Sequence, residues 1–289
     1  MIFLSTMNGG NRARKQQGFT LIELSIVLVI IGLIVAAILT GQDMIKASEI
    51  RATVGQVEKY NSAVNTFRTK YNGIPGDILY TQSSNFGLFS ETSVAGGGLG
   101  GGAGHQDGNG LLEGAAAAVV ASGAGETLDF WRHLSDANLV DGLLGTSGNS
   151  AIVSTTGLPT GAVTIADQSF PPSRMNPVQH FIVLSVSGFN YYEMMPVSGI
   201  TAAGTYTFGT TGITPINAYN IDIKLDDGNP NTGVVTAQST GAVNTAASVS
   251  AGSYLGMCDV GTGIASDTYN RNTASGGNSN SCAVRFRFN

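Results

Sequence analysis

Charge is what this sequence has least of. Asp, Glu, Lys and Arg make up only 11% of its 289 residues, against roughly a quarter in ordinary soluble domains, a poor fit to a cytosolic enzyme. The 14 basic residues are outnumbered by 19 acidic ones and form no face or stripe after the first 15 positions. Nucleic-acid binding by charge is therefore disfavoured. Histidine is confined to His105, His133 and His180, far apart in the chain. With no metal-binding histidine pair, no Gly-x-Ser-x-Gly and no carboxylate pair in a defined setting, nothing marks a catalytic centre.

Cysteine occurs only twice, at Cys258 and Cys282. The two can close one loop in an oxidising compartment, which in a chain-entropy model contributes about 3 kcal/mol, or they can be two unrelated buried thiols. Their Ser-, Asn- and Gly-rich surroundings offer little apolar burial, which favours the disulfide. What the chain has in excess is glycine, 40 residues, and apolar side chains, 42% with a mean hydropathy of +0.14. That profile fits an exported, loop-rich, β-containing surface protein.

The apolar excess is concentrated near the N-terminus. Phe19 to Leu39 carries a single charge, Glu23, and a helix of that length spans about 31 Å, the thickness of a bilayer's hydrocarbon core. The run is too long for a signal-peptide core and lacks a small-x-small cleavage site at its far end. Arg12, Arg14 and Lys15 precede it, while Asp43, Lys46, Glu49 and Arg51 follow as a mixed set. The positive-inside tendency then places the N-terminus in the cytoplasm and the bulk of the chain outside.

Beyond Leu39 the pattern turns amphipathic without a break. Ile50, Val54, Val57, Tyr60, Val64, Phe67 and Tyr71 recur at helical spacing, one stripe on a helix. Asn72-Gly73-Ile74-Pro75-Gly76 should end it, glycine supplying the C-cap. Residues 19 to 71 thus read as one helix whose first half needs lipid or other helices and whose second half needs a globular partner.

The leader and the start of this helix, Lys15-Gln16-Gln17-Gly18 followed by Phe19-Thr20-Leu21-Ile22-Glu23-Leu24, resemble the type IV pilin-like proteins, the type IV pilins and the pseudopilins of type II secretion. The resemblance covers about residues 12 to 72. It implies a prepilin peptidase that cuts between Gly18 and Phe19 and methylates the new Phe19 amine. It also implies that Glu23 pairs with the N-terminal ammonium of a neighbouring subunit while helices pack into a fibre. A lone carboxylate in hydrocarbon must be paired or neutralised, and the freed amine of another copy is a suitable partner. The leader counts from Met1, or from Met7 if translation starts there.

The head, residues 73 to 289, needs separate reading. Ala95 to Gly104 is a flexible glycine-rich loop, not a phosphate cradle, since no Lys-Ser/Thr follows. Asp107, Asn109 and Glu113 offer oxygens like the opening of a calcium loop, and Asp226 and Asp227 offer a second set. Both stretches are also ordinary turn chemistry, which is the stronger reading. Glu126 to Val140 reads as a short amphipathic helix with Trp131, the only tryptophan, on its buried side and His133 at the surface or hydrogen-bonded. Strands are expected at Ala162 to Ile165, His180 to Ser187 and Tyr191 to Met195, the last two joined across Gly188-Phe189-Asn190. Ala283 to Phe288 alternates apolar residues with Arg285 and Arg287, as a half-buried edge strand would. Ile216 to Leu225 alternates too, yet Thr214-Pro215 is a good helix start, and helix is the reading adopted.

The expected protein is α+β: a basic leader at 1–18, a transmembrane half-helix at 19–40, an amphipathic half at 41–72, and an antiparallel-sheet head at 73–289. Its expected setting is the inner membrane with a periplasmic head, then a pilus or pseudopilus fibre. Expected partners are prepilin peptidase, other pilin-like subunits and the inner-membrane assembly platform, with no cofactor unless calcium binds. The head is large for a fibre's bulk subunit, which favours a minor pilin or pseudopilin. The alternatives are a non-polymerising, membrane-anchored binding protein and, with no convergent site to support it, an exported enzyme.

Overall fold

A computed structural model describes residues 19–90, 106–114, 125–142, 144, 169–200, 206–208, 212–239, 258–260, 268–270 and 282–288. The leader, the glycine-rich stretch 95–104 and the strand expected at 162–165 lie outside these. The chain falls into two compact units, residues 1–47 and 48–289. One helix, α1 (Leu21–Tyr71), runs through the boundary.

In the first unit α1 is apolar all round, with a mean hydropathy of 3.0 over its most apolar 18 residues, long and apolar enough to cross a membrane. Its large apolar side chains from Leu21 to Ile45 are exposed. In the second unit the expected stripe appears: Ile50, Val57, Tyr60, Val64, Phe67 and Tyr71 are buried, and Val54 is half-buried. The helix stops at Asn72, whose φ of 55° is left-handed and whose N–H donates to the Arg68 carbonyl. Asparagine, not the expected glycine, therefore supplies the left-handed residue, because its short polar side chain tolerates that conformation. Gly76 (φ 90°) is needed for a different reason. A Cβ there would lie 2.5 Å from the Glu126 carbonyl oxygen.

The head also contains α2 (Tyr80–Asn85), α3 (Glu126–Asp136) and α4 (Pro215–Leu225). Its strands are β1 (His180–Val186), β2 (Phe189–Met195), β3 (Val197–Ile200), β4 (Tyr206–Phe208), β5 (Val235–Ser239), β6 (Asp259–Val260), β7 (Thr268–Tyr269) and β8 (Cys282–Phe288). The main sheet is antiparallel in the order β1-β2-β8-β5, with β3-β4 and β6-β7 as two-stranded ribbons. The β1–β2 turn is tighter than expected. Ser187 and Gly188 alone form it, at φ 51° and 82°, the two-residue geometry that matches strand twist. α4 is the helix expected there, with Thr214 Oγ1 accepting from Asn217 N–H and proline in its first turn.

Two further expectations change. α3 is not amphipathic in burial, since its polar residues Glu126, Thr127, Asp129, His133 and Ser135 are buried with its apolar ones. Buried polar groups persist where hydrogen bonds satisfy them, as they do below. And β8 is not an edge strand. It lies between β2 and β5, its Val284, Phe286 and Phe288 joining the core. Arg285 tolerates this central position because Glu193 lies directly across on β2, with 3.3 Å between them and both side chains at most 5% exposed. Cys282, at the start of β8, forms the expected disulfide with Cys258.

Removing one member of such a buried pair leaves an uncompensated charge. Arg285→Leu should therefore lower the unfolding free energy by about 3–5 kcal/mol, and adding Glu193→Leu should recover most of it, read from denaturant midpoints.

Candidate functional site

Two regions carry chemistry, one at the start of α1 and one in the head. Gly18 lies outside the described residues, so the geometry begins at Phe19. The Thr20 carbonyl accepts the Leu24 N–H, and Thr20 Oγ1 accepts the Glu23 N–H at 3.3 Å. Glu23 answers in kind: its Oε2 accepts from the Thr20 N–H at 2.8 Å and from the Thr20 hydroxyl at 2.7 Å. This is a capping box, with a threonine cap and a glutamate three residues on. It starts the helix two residues after Phe19. The Thr-x-x-Glu spacing that marks such a box stands in the sequence at Thr20 and Glu23. Both bonds use Oε2, and among the described residues Oε1 carries none.

In the head, the residues read from sequence as oxygen donors are brought to partners that spacing did not reveal. Asp107 joins Asp77, from the turn after α1, and Glu126, from the first turn of α3. Each offers a carboxylate oxygen, and these lie within 4.8 Å of one another. Such a set is of the kind a hard cation accepts. Asn109 and Glu113 sit beside it, the Asn109 amide donating to Asp107 at 3.0 Å and to Glu113 at 3.2 Å.

The carboxylates also fasten a loop. Asp77 accepts from the N–H groups of Gly108, Asn109 and Gly110 at 2.8, 3.1 and 2.7 Å. Glu126 accepts from the backbone N–H groups of Asp107 and Glu113 at 3.3 and 3.0 Å. Between them Leu112 is buried in the core, its N–H donating to Ser185 and Asn190 on the first two strands. Burial, and then the Asp77 charge, push the Glu126 carboxyl upward. Burial also raises Asp77.

The second set is similar. Asp226 and Asp227 are joined by Asp222 from α4, which accepts from the Tyr269 hydroxyl at 2.8 Å and from Gly228 N–H at 3.2 Å. Burial raises Asp222 to about 6. Asp227 accepts from Asn229 N–H at 2.8 Å and Asp226 from Val235 N–H at 3.1 Å, ordinary turn bonding.

His133 proves to be buried and hydrogen-bonded, not superficial. Gly76 N–H donates to its Nδ1 at 2.9 Å. Nε2 therefore carries the proton and donates to the Phe89 carbonyl at 2.7 Å. Burial pulls the ring down to about 4, against the Phe89 bond, which raises it.

A family model for the prokaryotic N-terminal methylation motif matches residues 13–39, spanning Arg14, Lys15, Gly18, Phe19 and Glu23. No curated protein and no solved structure matches the chain.

The His133 geometry makes a pH prediction. The folded value of about 4 lies below the ordinary 6.5, so the unfolded chain binds more protons between these values and stability falls as pH falls through that window. The loss should approach about 3 kcal/mol at pH 4, measured as the unfolding midpoint in urea, and His133→Gln should flatten that limb.

Proposed function

We propose that this chain, which carries the prokaryotic N-terminal methylation motif at residues 13–39, is a minor pilin or pseudopilin. It is a structural subunit that waits in the inner membrane and assembles into a pilus or secretion pseudopilus. Prepilin peptidase cuts after Gly18 and methylates the Phe19 amine, with the N-terminus cytoplasmic and the head periplasmic. The observation that carries this reading is the coincidence of the motif with an apolar helix able to cross a membrane. The α+β head behind that helix is the pilin-like architecture, and the motif points to a structural role, not a catalytic one.

In this reading Glu23 has two partners on two oxygens. Oε2 stays with its own Thr20, and Oε1 pairs with the Phe19 ammonium of a neighbouring copy. The pairing sets axial register, because a carboxylate in hydrocarbon is stable only where an opposite charge meets it.

Mass spectrometry of the mature chain should find an N-methylated Phe19; an intact leader would favour a non-polymerising membrane-anchored protein. Glu23→Ala should reduce incorporation into surface fibres by at least about tenfold, the effect of losing about 1.4 kcal/mol at each added subunit. Normal incorporation would overturn the pairing.

A further inference from the structure

Where the end of β8 meets α1, the head has a cavity of about 240 Å³ lined by Asn61, Val64, Asn65, Arg287 and Phe288. Two polar groups on its wall have no complement among the described residues. Asn61 Oδ1 is buried without a hydrogen-bond partner. Arg287 lies over the half-exposed Phe189 ring at 5.1 Å, and among the described residues no carboxylate pairs with it. Tyr192, whose buried hydroxyl has no hydrogen-bond partner among the described residues, stacks its ring on Phe288 at 4.1 Å.

Buried polar atoms in native proteins are nearly always satisfied, so such a group asks what completes it. One guanidinium and a side-chain amide on the wall of one opening fit a carboxylate. Arg presents a planar fork matched to carboxylate geometry, and the two ends of the Asn61 amide are interchangeable by rotation, so either end can face a ligand. Carboxylates are what this chain has to spare. Without the three basic residues of the leader it keeps 11 basic against 19 acidic residues, a formal −8.

We propose that this cavity receives an acidic side chain from a second copy of the chain, an inference that rests on the fibre reading above. Copies held side by side by their stems present an excess of carboxylates to one another's heads, and this opening offers an arginine that no carboxylate among the described residues neutralises. The contact is a charge-assisted hydrogen bond between heads, separate from the stem pair at Glu23.

The test compares Asn65→Asp, Arg287→Glu and Arg287→Lys in the full-length protein, scoring fibre incorporation against the membrane pool and melting of the purified chain in detergent. Asn65 is exposed on α1, so its aspartate variant adds charge with little change of shape. Both acidic variants should lose about tenfold in incorporation with unchanged melting, while Arg287→Lys stays within about twofold of wild type. Should Arg287→Glu melt early, Asn65→Asp alone decides. Wild-type incorporation of Asn65→Asp overturns the proposal, including where the purified chain binds free acetate or citrate. If Glu23→Ala is defective while the head variants assemble normally, only this inference fails. If Glu23→Ala assembles normally, the fibre reading fails first.

Discussion

Tyr60 touches three other elements at once. Its ring lies 4.9 Å from Trp131 on α3, 5.4 Å from Phe181 on β1 and 5.9 Å from Tyr192 on β2. The head depends on this meeting, because an amphipathic helix has little stability in water until its apolar face is covered. Covering the stripe from Ile50 to Tyr71 takes an aromatic layer from α3 and alternate residues of the sheet. Once that layer is in place, Gln56 closes one side, donating to the Tyr60 hydroxyl and to the Pro172 carbonyl. Large aromatic side chains supply much buried area with few rotatable bonds, which suits a chain so rich in glycine.

Much of this was legible in the sequence because it is written as period. The stripe on α1 and the apolar run before it are regular over many turns, and regular patterns of that length have few competing explanations. α4 was legible through Thr214-Pro215, a local cap that outweighed a strand-like alternation. The position of β8 was not. Val284, Phe286 and Phe288 alternating with arginines look like a strand with one wet face, and only the residue opposite each arginine decides the matter. Glu193 is some ninety positions away, and nothing local to either residue announces the pair.

The carboxylate set failed in the same way, though only by half. Asp107 is in an obvious turn motif, whereas Asp77 and Glu126 belong to a helix end and a helix start that read as ordinary local signals. Their shared task is to supply acceptors for the 107–113 loop, whose amides bond to side chains and not to a strand's backbone. Gly76 belongs to this account too. The close approach of its backbone to Glu126 is what lets the end of α1 and the start of α3 share one loop.

The central place of β8 has a consequence for how the head is made. β8 follows every other strand described, yet it is the only one bonded to both β2 and β5. While the chain is being synthesised, the sheet can exist only as a β1–β2 hairpin and an unattached β5, because the strand that joins them follows both. Non-local pairing of this kind is slow and late. The sheet is thereby kept open until its last described strand is in place, a closing order built into strand order.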